Sequence, residues 1–162
     1  MHITFAPRGI LQIDDARITH KNFRGEGGPF NREGDRNFSI VIPDDETVEA
    51  LRNDVNQYGV GWNVKVKDNE EYDEPLRTLP VKIKYKNGRG PAVYLRCGDS
   101  QTRLDESDIG ILDKVDILRV DLDIRPYDDM FNSKPFRSAY LDSICVTQRM
   151  DRFGARNQDA PF

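Results

Sequence analysis

Residues 81–96 read Val81-Lys82-Ile83-Lys84-Tyr85-Lys86-Asn87-Gly88-Arg89-Gly90-Pro91-Ala92-Val93-Tyr94-Leu95-Arg96. Apolar and charged side chains alternate over the first six residues, which is the pattern of a half-buried β-strand. Asn87-Gly88 is a strong signal for a two-residue turn, so residues 92–96 are expected to return as the second strand of a hairpin. The three lysines then share one strand face. The stretch predicts a β protein with a cationic surface.

The same strand pattern recurs on both sides of this stretch. Strands are predicted at residues 9–23, 36–42, 62–67, 115–125 and 136–147, with a Gly-rich connection at residues 24–34 and a loop at residues 127–134. The alternation changes phase at Asp14-Asp15 and again near Leu118-Arg119. Such changes predict β-bulges, which bend strands as the wall of a small barrel requires.

One helix is predicted after the second strand. It begins at Pro43-Asp44, where Asp44 is a typical N-cap and acids fill the first turn. Gly59 and Gly61 are expected to end it. Its apolar stripe contains Val48, Leu51, Val55 and Tyr58. Short bulged strands with one α-helix between them predict a mostly β fold, a small closed or nearly closed β-barrel.

Composition restricts the function classes. With 162 residues, 37% apolar and 32% charged, the chain suits one domain with a modest core. It has no apolar run long enough to cross a membrane, and its first residues lack the features of a signal peptide. His2 and His20 are the only histidines, which argues against a zinc site or histidine acid–base catalysis. Residues 149–162 show no apolar period, so we expect a folded domain at 1–148 and a flexible tail at 149–162.

Charge is segregated along the chain, although the net charge is only −4. Residues 75–103 carry seven bases against Asp99, whereas residues 44–74 carry ten acids against three bases, and residues 104–130 nine acids against three bases. An acidic protein can therefore still present a basic groove to an anionic ligand. The alternative is that folding mixes these segments into ordinary solvated surfaces.

Cations and aromatic rings are interleaved in three segments. Binding of a single-stranded nucleic acid needs this combination, since cations follow the phosphates and exposed rings stack on bases. Tyr85 and Tyr94 are in phase with core residues and are expected inside. The phenylalanines among the candidates either stack on bases or fold back as core anchors. The candidate DNA-binding residues are Phe23, Arg24, Phe30, Arg32, Arg36, Lys82, Lys84, Lys86, Arg96, Tyr127, Phe131, Lys134, Phe136 and Arg137.

The last four residues, Asp159-Ala160-Pro161-Phe162, combine an aromatic ring, a terminal carboxylate and a rigid Pro. An apolar pocket with a basic rim could take the ring and the carboxylate together. We therefore expect Asp159, Pro161 and Phe162 to dock a protein partner. This tip resembles the Asp-x-Pro-Phe tip of bacterial single-stranded-DNA-binding proteins, which recruits replication and repair partners.

The resemblance extends over most of the chain. A bulged first strand, a Gly-rich connection, residues 37–43 leading into an Asp-capped helix, and a long final hairpin are together similar to single-stranded-DNA-binding proteins of bacterial viruses. The resemblance implies an OB-type barrel, single-stranded DNA as ligand, replication or recombination proteins as partners, and the cytoplasm of the bacterial host as location. Two features depart from the pattern. A simple OB-fold has its helix after the third strand, and the tail here has few acids.

These features lead to a non-enzymatic, sequence-tolerant single-stranded-DNA-binding protein that needs no cofactor. The alternative is a β-barrel interaction or virion-assembly module whose basic hairpin meets an acidic partner. A third hypothesis is a metal-dependent nuclease that uses Asp121 and Asp123, with Asp113 and Asp116 nearby in sequence. The sequence leaves open the oligomeric state, homo-oligomers included, the preference for DNA or RNA, and the length of strand bound.

Overall fold

The structure, a computed structural model, describes residues 1–71 and 73–150. Within them lie nine strands and one α-helix, with single 3₁₀ turns at Pro7–Gly9 and Ile109–Asp113. In chain order the elements are β1 (His2–Phe5), β2 (Leu11–Asn22), β3 (Arg36–Val41), α1 (Asp45–Asn53), β4 (Lys65–Lys67), β5 (Leu76–Ile83), β6 (Ala92–Cys97), β7 (Ser100–Leu104), β8 (Ile117–Phe131) and β9 (Lys134–Gln148).

Five of the strands close into a barrel. Their order around it is β2, β3, β5, β9 and β8, and β8 pairs with β2 again. All these neighbours are antiparallel except β5 and β9, which run parallel where Lys82 meets Tyr140. The remaining strands extend the sheet beyond the barrel wall, β1 along β2, β4 along β5 and the β6–β7 pair along β9. The prediction of a mostly β, OB-type barrel with one helix is confirmed.

Strand alternation fills the interior of the barrel. On β5, Leu79, Val81 and Ile83 are buried, whereas Lys82 between them is exposed. Phe23 and Phe38 stack inside, with ring centroids 5.1 Å apart and planes inclined by 13°. The period of two thus places apolar side chains in the core and leaves the lysines outside.

Both predicted bulges are confirmed. The pairing of β2 with β8 shifts between Ile13 and Ala16, and Asp15 there has a φ of 54°. The pairing of β8 with β9 shifts between Ile117 and Arg119. An extra residue increases local twist and bends the strand, and this bending helps β2 and β8 to curve around the core.

The helix begins where predicted but ends earlier. The Asp44 carboxylate accepts a hydrogen bond from the N–H of Thr47, at 2.8 Å, and so caps the first turn. Helix α1 ends at Asn53, so the predicted continuation through Val55 and Tyr58 is wrong. Both side chains lie beyond the last turn and are exposed. The N–H of the buried Trp62 bonds to the carbonyl of Leu51, which turns the chain back across the helix end.

The predicted hairpin at residues 81–96 is wrong beyond its turn. Asn87 and Gly88 have φ values of 53° and 72°, and Lys86 and Arg89 exchange backbone hydrogen bonds of 2.7 and 2.9 Å. Beyond this turn β5 and β6 do not pair with each other, because each pairs in parallel with a different part of β9. Strand β5 meets β9 at Tyr140, and β6 meets it from residue 143 to residue 147. Strand β6 therefore continues along β9 beyond the point where β5 ends.

The predicted loop at residues 127–134 is also wrong. Strand β8 continues to Phe131, and β9 begins at Lys134 after the two-residue turn Asn132-Ser133, whose φ values are 50° and 63°. Residues 126–137 therefore form a two-stranded extension, called the arm below. Strand β4 covers only part of the strand predicted at residues 62–67, while β1 and β7 were not predicted.

Candidate nucleic-acid interface

A groove runs along the outside of the barrel near the ends of β3 and β5. It consists of three adjoining cavities of about 340, 620 and 1030 Å³. The first two share Arg36 and Tyr85, and the last two share Gly90 and Pro91. The first two volumes fall within the range of pockets that hold small-molecule ligands, about 300–1,000 Å³, and the third is at its upper end. The groove therefore has room for an extended chain of nucleotides.

Cations outnumber acids in the lining of the groove. The acids are Asp35, Asp105, Glu106 and Asp142. Within residues 1–71 and 73–150, none of the lining cations forms an ion pair, whereas Arg77, Arg119 and Arg137 elsewhere do. Unpaired cations on a concave surface attract an external polyanion. The seven lining cations are Arg36, Lys82, Lys84, Lys86, Arg89, Arg103 and Arg125.

Aromatic rings lie between these cations. The Lys84 ammonium and the Arg125 guanidinium approach the ring of Tyr140, at 5.6 and 5.3 Å from its centroid. Tyr127 packs edge-on against Tyr140, with ring centroids 5.5 Å apart, and is itself 44% exposed. Its hydroxyl donates to Asp129 Oδ2 at 3.0 Å, which fixes the ring and raises the pKa of the phenol. Contacts of this kind hold the cations where they can bind a phosphate and an exposed ring such as Tyr127 where it can stack on a base.

Tyr85 lies at the junction of the first two cavities. Burial raises the pKa of its phenol, and the Arg36 guanidinium, 5.8 Å from the ring centroid, partly opposes the shift. The phenol is therefore neutral at physiological pH. A side chain on Gly90 would collide with the Tyr85 ring, so only glycine allows the chain to pass this close.

The structure brings Arg36, Lys82, Lys84, Lys86 and Tyr127 together in the groove lining. These five candidates come from three segments that are distant in sequence. Lys82, Lys84 and Lys86 are all exposed, as their shared strand face predicts. Their role in DNA binding stays a prediction.

The arm has two faces, set by its pairing register. Tyr127 is paired with Ser138, Asp129 with Phe136 and Phe131 with Lys134. Phe131 is 70% exposed at the tip, and Phe136 lies 6.3 Å from Tyr127 between ring centroids. The face that continues from the groove, called the front face below, carries Arg125, Tyr127, Phe131, Lys134, Phe136 and Tyr140.

Two of the predicted residues cannot serve as predicted. Phe23 is fully buried and stacked on Phe38, so its ring is a core anchor and is not open to a base. The Arg137 side chain is only 6% exposed and forms an ion pair with Asp128. It lies on the opposite face of the arm, because the register pairs it with Asp128. Neither side chain is available to an external ligand in this structure.

The Gly-rich connection is an ordered loop that presents an exposed ring. Phe30 stands at a tight turn closed by hydrogen bonds between Gly28 and Asn31, and its side chain is completely exposed. The Asp113 carboxylate accepts from the N–H groups of Phe23 and Arg24, at 2.8 and 3.0 Å, which ties the loop to the barrel. Arg24 and Arg32 are exposed on the same loop. Phe30 lines a separate fourth cavity that shares no lining residue with the groove.

Arg96 lies outside the groove. It is exposed on β6 opposite Thr147, seven residues along β9 from Tyr140, which itself lines the groove. At about 3.3 Å per residue this separates the two positions by roughly 23 Å. A strand that followed only the groove would not reach Arg96.

The list of candidate DNA-binding residues omitted several residues of the groove lining. Arg125 and Tyr140 are directly opposite each other on β8 and β9. The signal for Tyr140 was its position between the apolar Ala139 and Leu141, which places it on the outer face of the strand; there Lys84, Arg125 and Tyr127 lie against its ring, which is only 9% exposed. Tyr85 was assigned to the core; it does pack against the core, but it is only half-buried and also lines the first two cavities. The other cations omitted from the list are Arg89 and Arg103.

The carboxylates considered for a nuclease site have separate roles. Burial opposes the ionisation of Asp121, yet hydrogen bonds from Arg119 and from the N–H of Asp15 lower its pKa. Burial raises the pKa of Asp123. Asp113 holds the Gly-rich loop, and Asp116 faces Arg149 at 3.8 Å. Among the described residues, no group of three or more His, Cys, Asp or Glu side chains is arranged to hold a metal ion.

The predicted partner-docking residues Asp159, Pro161 and Phe162 lie outside the described residues. In the part of the chain that the structure describes, no helix has the length and apolar character needed to cross a membrane.

Comparisons with known proteins identify one family and several structures of similar fold. A family model described as "Putative phage ssDNA-binding domain" matches residues 3–162. No curated protein sequence matches the chain. The single-stranded DNA-binding protein from bacteriophage Enc34 has a similar fold, with a TM-score of 0.54 at 15% identity over 94% of this chain and 88% of that chain. The structure of that protein in complex with ssDNA gives a TM-score of 0.54 at 14% identity, over 94% of this chain and 93% of that chain. The structure of its C-terminal truncation gives a TM-score of 0.53 at 13% identity, over 92% of this chain and 91% of that chain.

Proposed function

Because this chain belongs to the family of phage ssDNA-binding domains, we propose that it binds single-stranded DNA in the groove and along the front face of the arm. The observation that carries the proposal is the row of seven cations without ion pairs among the described residues, interleaved with the exposed ring of Tyr127 and the half-buried ring of Tyr85. Phosphates bind the cations and bases stack on the rings.

The position of the groove supports this proposal. OB-folds bind oligonucleotides on the face of their second and third strands and on the loops between strands 1 and 2 and strands 4 and 5. In this barrel those strands are β3 and β5, and the two loops are residues 23–35 and the arm. Arg36 and Lys82 belong to the strands, and Phe30 and Phe131 stand at the exposed loop tips.

We expect binding to depend little on base sequence. The lining offers mainly phosphate-seeking cations and ring faces, and every base has a face that can stack. Such a protein would cover exposed strands in the cytoplasm of the infected bacterium and protect them. Residues 1–148 would form the DNA-binding domain. Residues 149–162 would recruit replication or recombination proteins through Asp159, Pro161 and Phe162, without any enzymatic step.

The test is a binding titration with a labelled, unstructured oligothymidine and with a duplex of the same length, at several salt concentrations. We expect tight binding to the single strand, much weaker binding to the duplex, and affinity that falls as salt rises. Equal affinity for the two forms, or none for either at low salt, would contradict the proposal. Failure to bind DNA together with capture of an acidic protein would favour the interaction module.

A further inference from the structure

Arg137 was predicted to contact DNA, but the structure places it on the back face of the arm. Residues 126, 128, 130, 135, 137 and 139 share this face, opposite the aromatic front face. Arg137 Nε donates to Asp128 Oδ1 at 2.8 Å, and Nη2 donates to Asp128 Oδ2 at 3.2 Å. Two parallel hydrogen bonds to one carboxylate fix the orientation of the guanidinium plane. The pair therefore joins the two arm strands rigidly at their base.

The same guanidinium connects the arm to the barrel. Its Nη1 donates to the backbone carbonyl of Asp54 at 2.7 Å, directly after α1. Its carbon lies 4.9 Å from the centroid of the Trp62 ring, which is 2% exposed. The Trp62 indole N–H donates to Asp54 Oδ2 at 2.8 Å. Arg137 is thus held on one side by the arm and on the other by the end of the helix and the core.

We infer that Arg137, with Asp128, is a positioning residue that fixes the angle of the arm so that its front face continues the groove. The inference rests on the proposed DNA binding. A two-stranded arm held only by its own ladder would be free to bend at its base. A side chain that is 6% exposed has no surface for a phosphate. Its effect on DNA must therefore pass through the position of Tyr127, Phe131 and Phe136.

The positioning role and a phosphate contact predict different results for the same substitution. R137M removes one positive charge from the back face, and K134M removes one from the front face. If Arg137 only positions the arm, R137M should lower affinity about tenfold through misplaced stacking rings and leave the slope of log K against log salt unchanged. K134M should reduce that slope by about 0.7, the value of one phosphate contact on a single strand.

D128N gives a second, independent test. Removing a negative charge near DNA should tighten binding if only the net field matters. A positioning role predicts weaker binding, because the neutral amide holds the guanidinium less firmly. R137K, which keeps the charge without the planar fork, should restore affinity only in part. Amide hydrogen exchange in residues 126–137 should quicken in R137M, while exchange in the barrel strands stays unchanged.

The outcomes separate this inference from the proposed function. Affinity of R137M within twofold of wild type, or a slope reduced by about 0.7 with unchanged arm exchange, would overturn the inference. If R137M does not fold, R137K and D128N decide by the same criteria. Absence of DNA binding by the wild-type chain would instead reject the proposed function, and faster exchange confined to the arm of R137M would still show that Arg137 fixes the arm.

Discussion

Replacing Lys82, Lys84 and Lys86 together by Ala tests whether the groove holds the phosphates. All three are exposed, and Lys84 contacts the Tyr140 ring at 5.6 Å from its centroid. That contact contributes about 0.5–1 kcal/mol at an exposed site, so the fold should survive with a melting temperature within about 4 °C of wild type. The substitution therefore removes binding charge while changing stability little.

The expected loss of affinity follows from counterion release. Each phosphate contact on a single strand contributes about 0.7 to the slope of log K against log salt, so three contacts contribute about 2. At 0.1 M salt, each phosphate contact then contributes about 1 kcal/mol to the binding free energy. The triple variant should bind oligothymidine up to about a hundredfold more weakly, which corresponds to about 3 kcal/mol.

A matched control removes the same charge elsewhere on the same sheet. Arg17, Lys65 and Lys67 are exposed on β2 and β4, and Arg17 and Lys65 lie in one cross-strand row through Val41 and Thr78. Val41 is five residues along β3 from Arg36, roughly 17 Å. In fluorescence anisotropy titrations over a range of salt, R17A/K65A/K67A should keep nearly the full slope. Equal slopes for the two triple variants would refute a phosphate site in the groove.

Four further outcomes are expected. F23A should lower the free energy of unfolding by about 3–5 kcal/mol in a denaturant titration, because Phe23 is fully buried, and a change under 1 kcal/mol would be inconsistent with its core position. F30A should leave the free energy of unfolding within about 0.5 kcal/mol of wild type yet weaken oligothymidine binding in anisotropy assays. Unchanged binding would exclude Phe30 from the interface. Burial opposes the ionisation of Asp128, but the hydrogen bonds from Arg137 lower its pKa, so the charged pair stabilises the fold above the unfolded-state pKa and this stabilisation is lost as the pH falls through the folded-state pKa. The free energy of unfolding of the wild type should therefore fall more steeply below about pH 4 than that of D128N. Parallel pH curves for the two proteins would argue against the pair. Removal of residues 159–162 should leave the melting temperature nearly unchanged and keep or raise affinity for single strands, while capture of replication proteins from host lysate is lost; a large fall in melting temperature would show that the tail is structural.

Local sequence patterns were sufficient where neighbouring residues decide the structure. The Asp44 cap, the bulges at Asp14-Asp15 and near Leu118-Arg119, and the turn at Asn87-Gly88 all follow from short-range backbone preferences. The alternation at residues 81–86 likewise placed the lysines correctly on the outside. These signals were enough to predict a small bulged barrel with a cationic strand.

Long-range pairing decided the rest. A strong turn cannot show that β9 pairs with both β5 and β6 and so separates the two strands beyond it. Composition placed Arg137 with the other cations of the arm, but only the register of β8 against β9 reveals which face a residue occupies. Phe23 follows a strand and precedes a Gly-rich loop, and its burial depends on Phe38 from the next strand. Residue type thus supplied the candidates, and strand pairing decided which of them line the groove.

The most direct test of the account is to map where a single strand lies on the protein. An oligothymidine carrying photoreactive bromodeoxyuridine can be cross-linked to the full-length chain, and the modified residues identified by mass spectrometry. We predict cross-links at Tyr127, Phe131 and Phe136 on the arm and at Tyr85 in the groove. Cross-links confined to β4, α1 or the far end of β6 around Arg96 would contradict the account, because the DNA would then lie outside the groove.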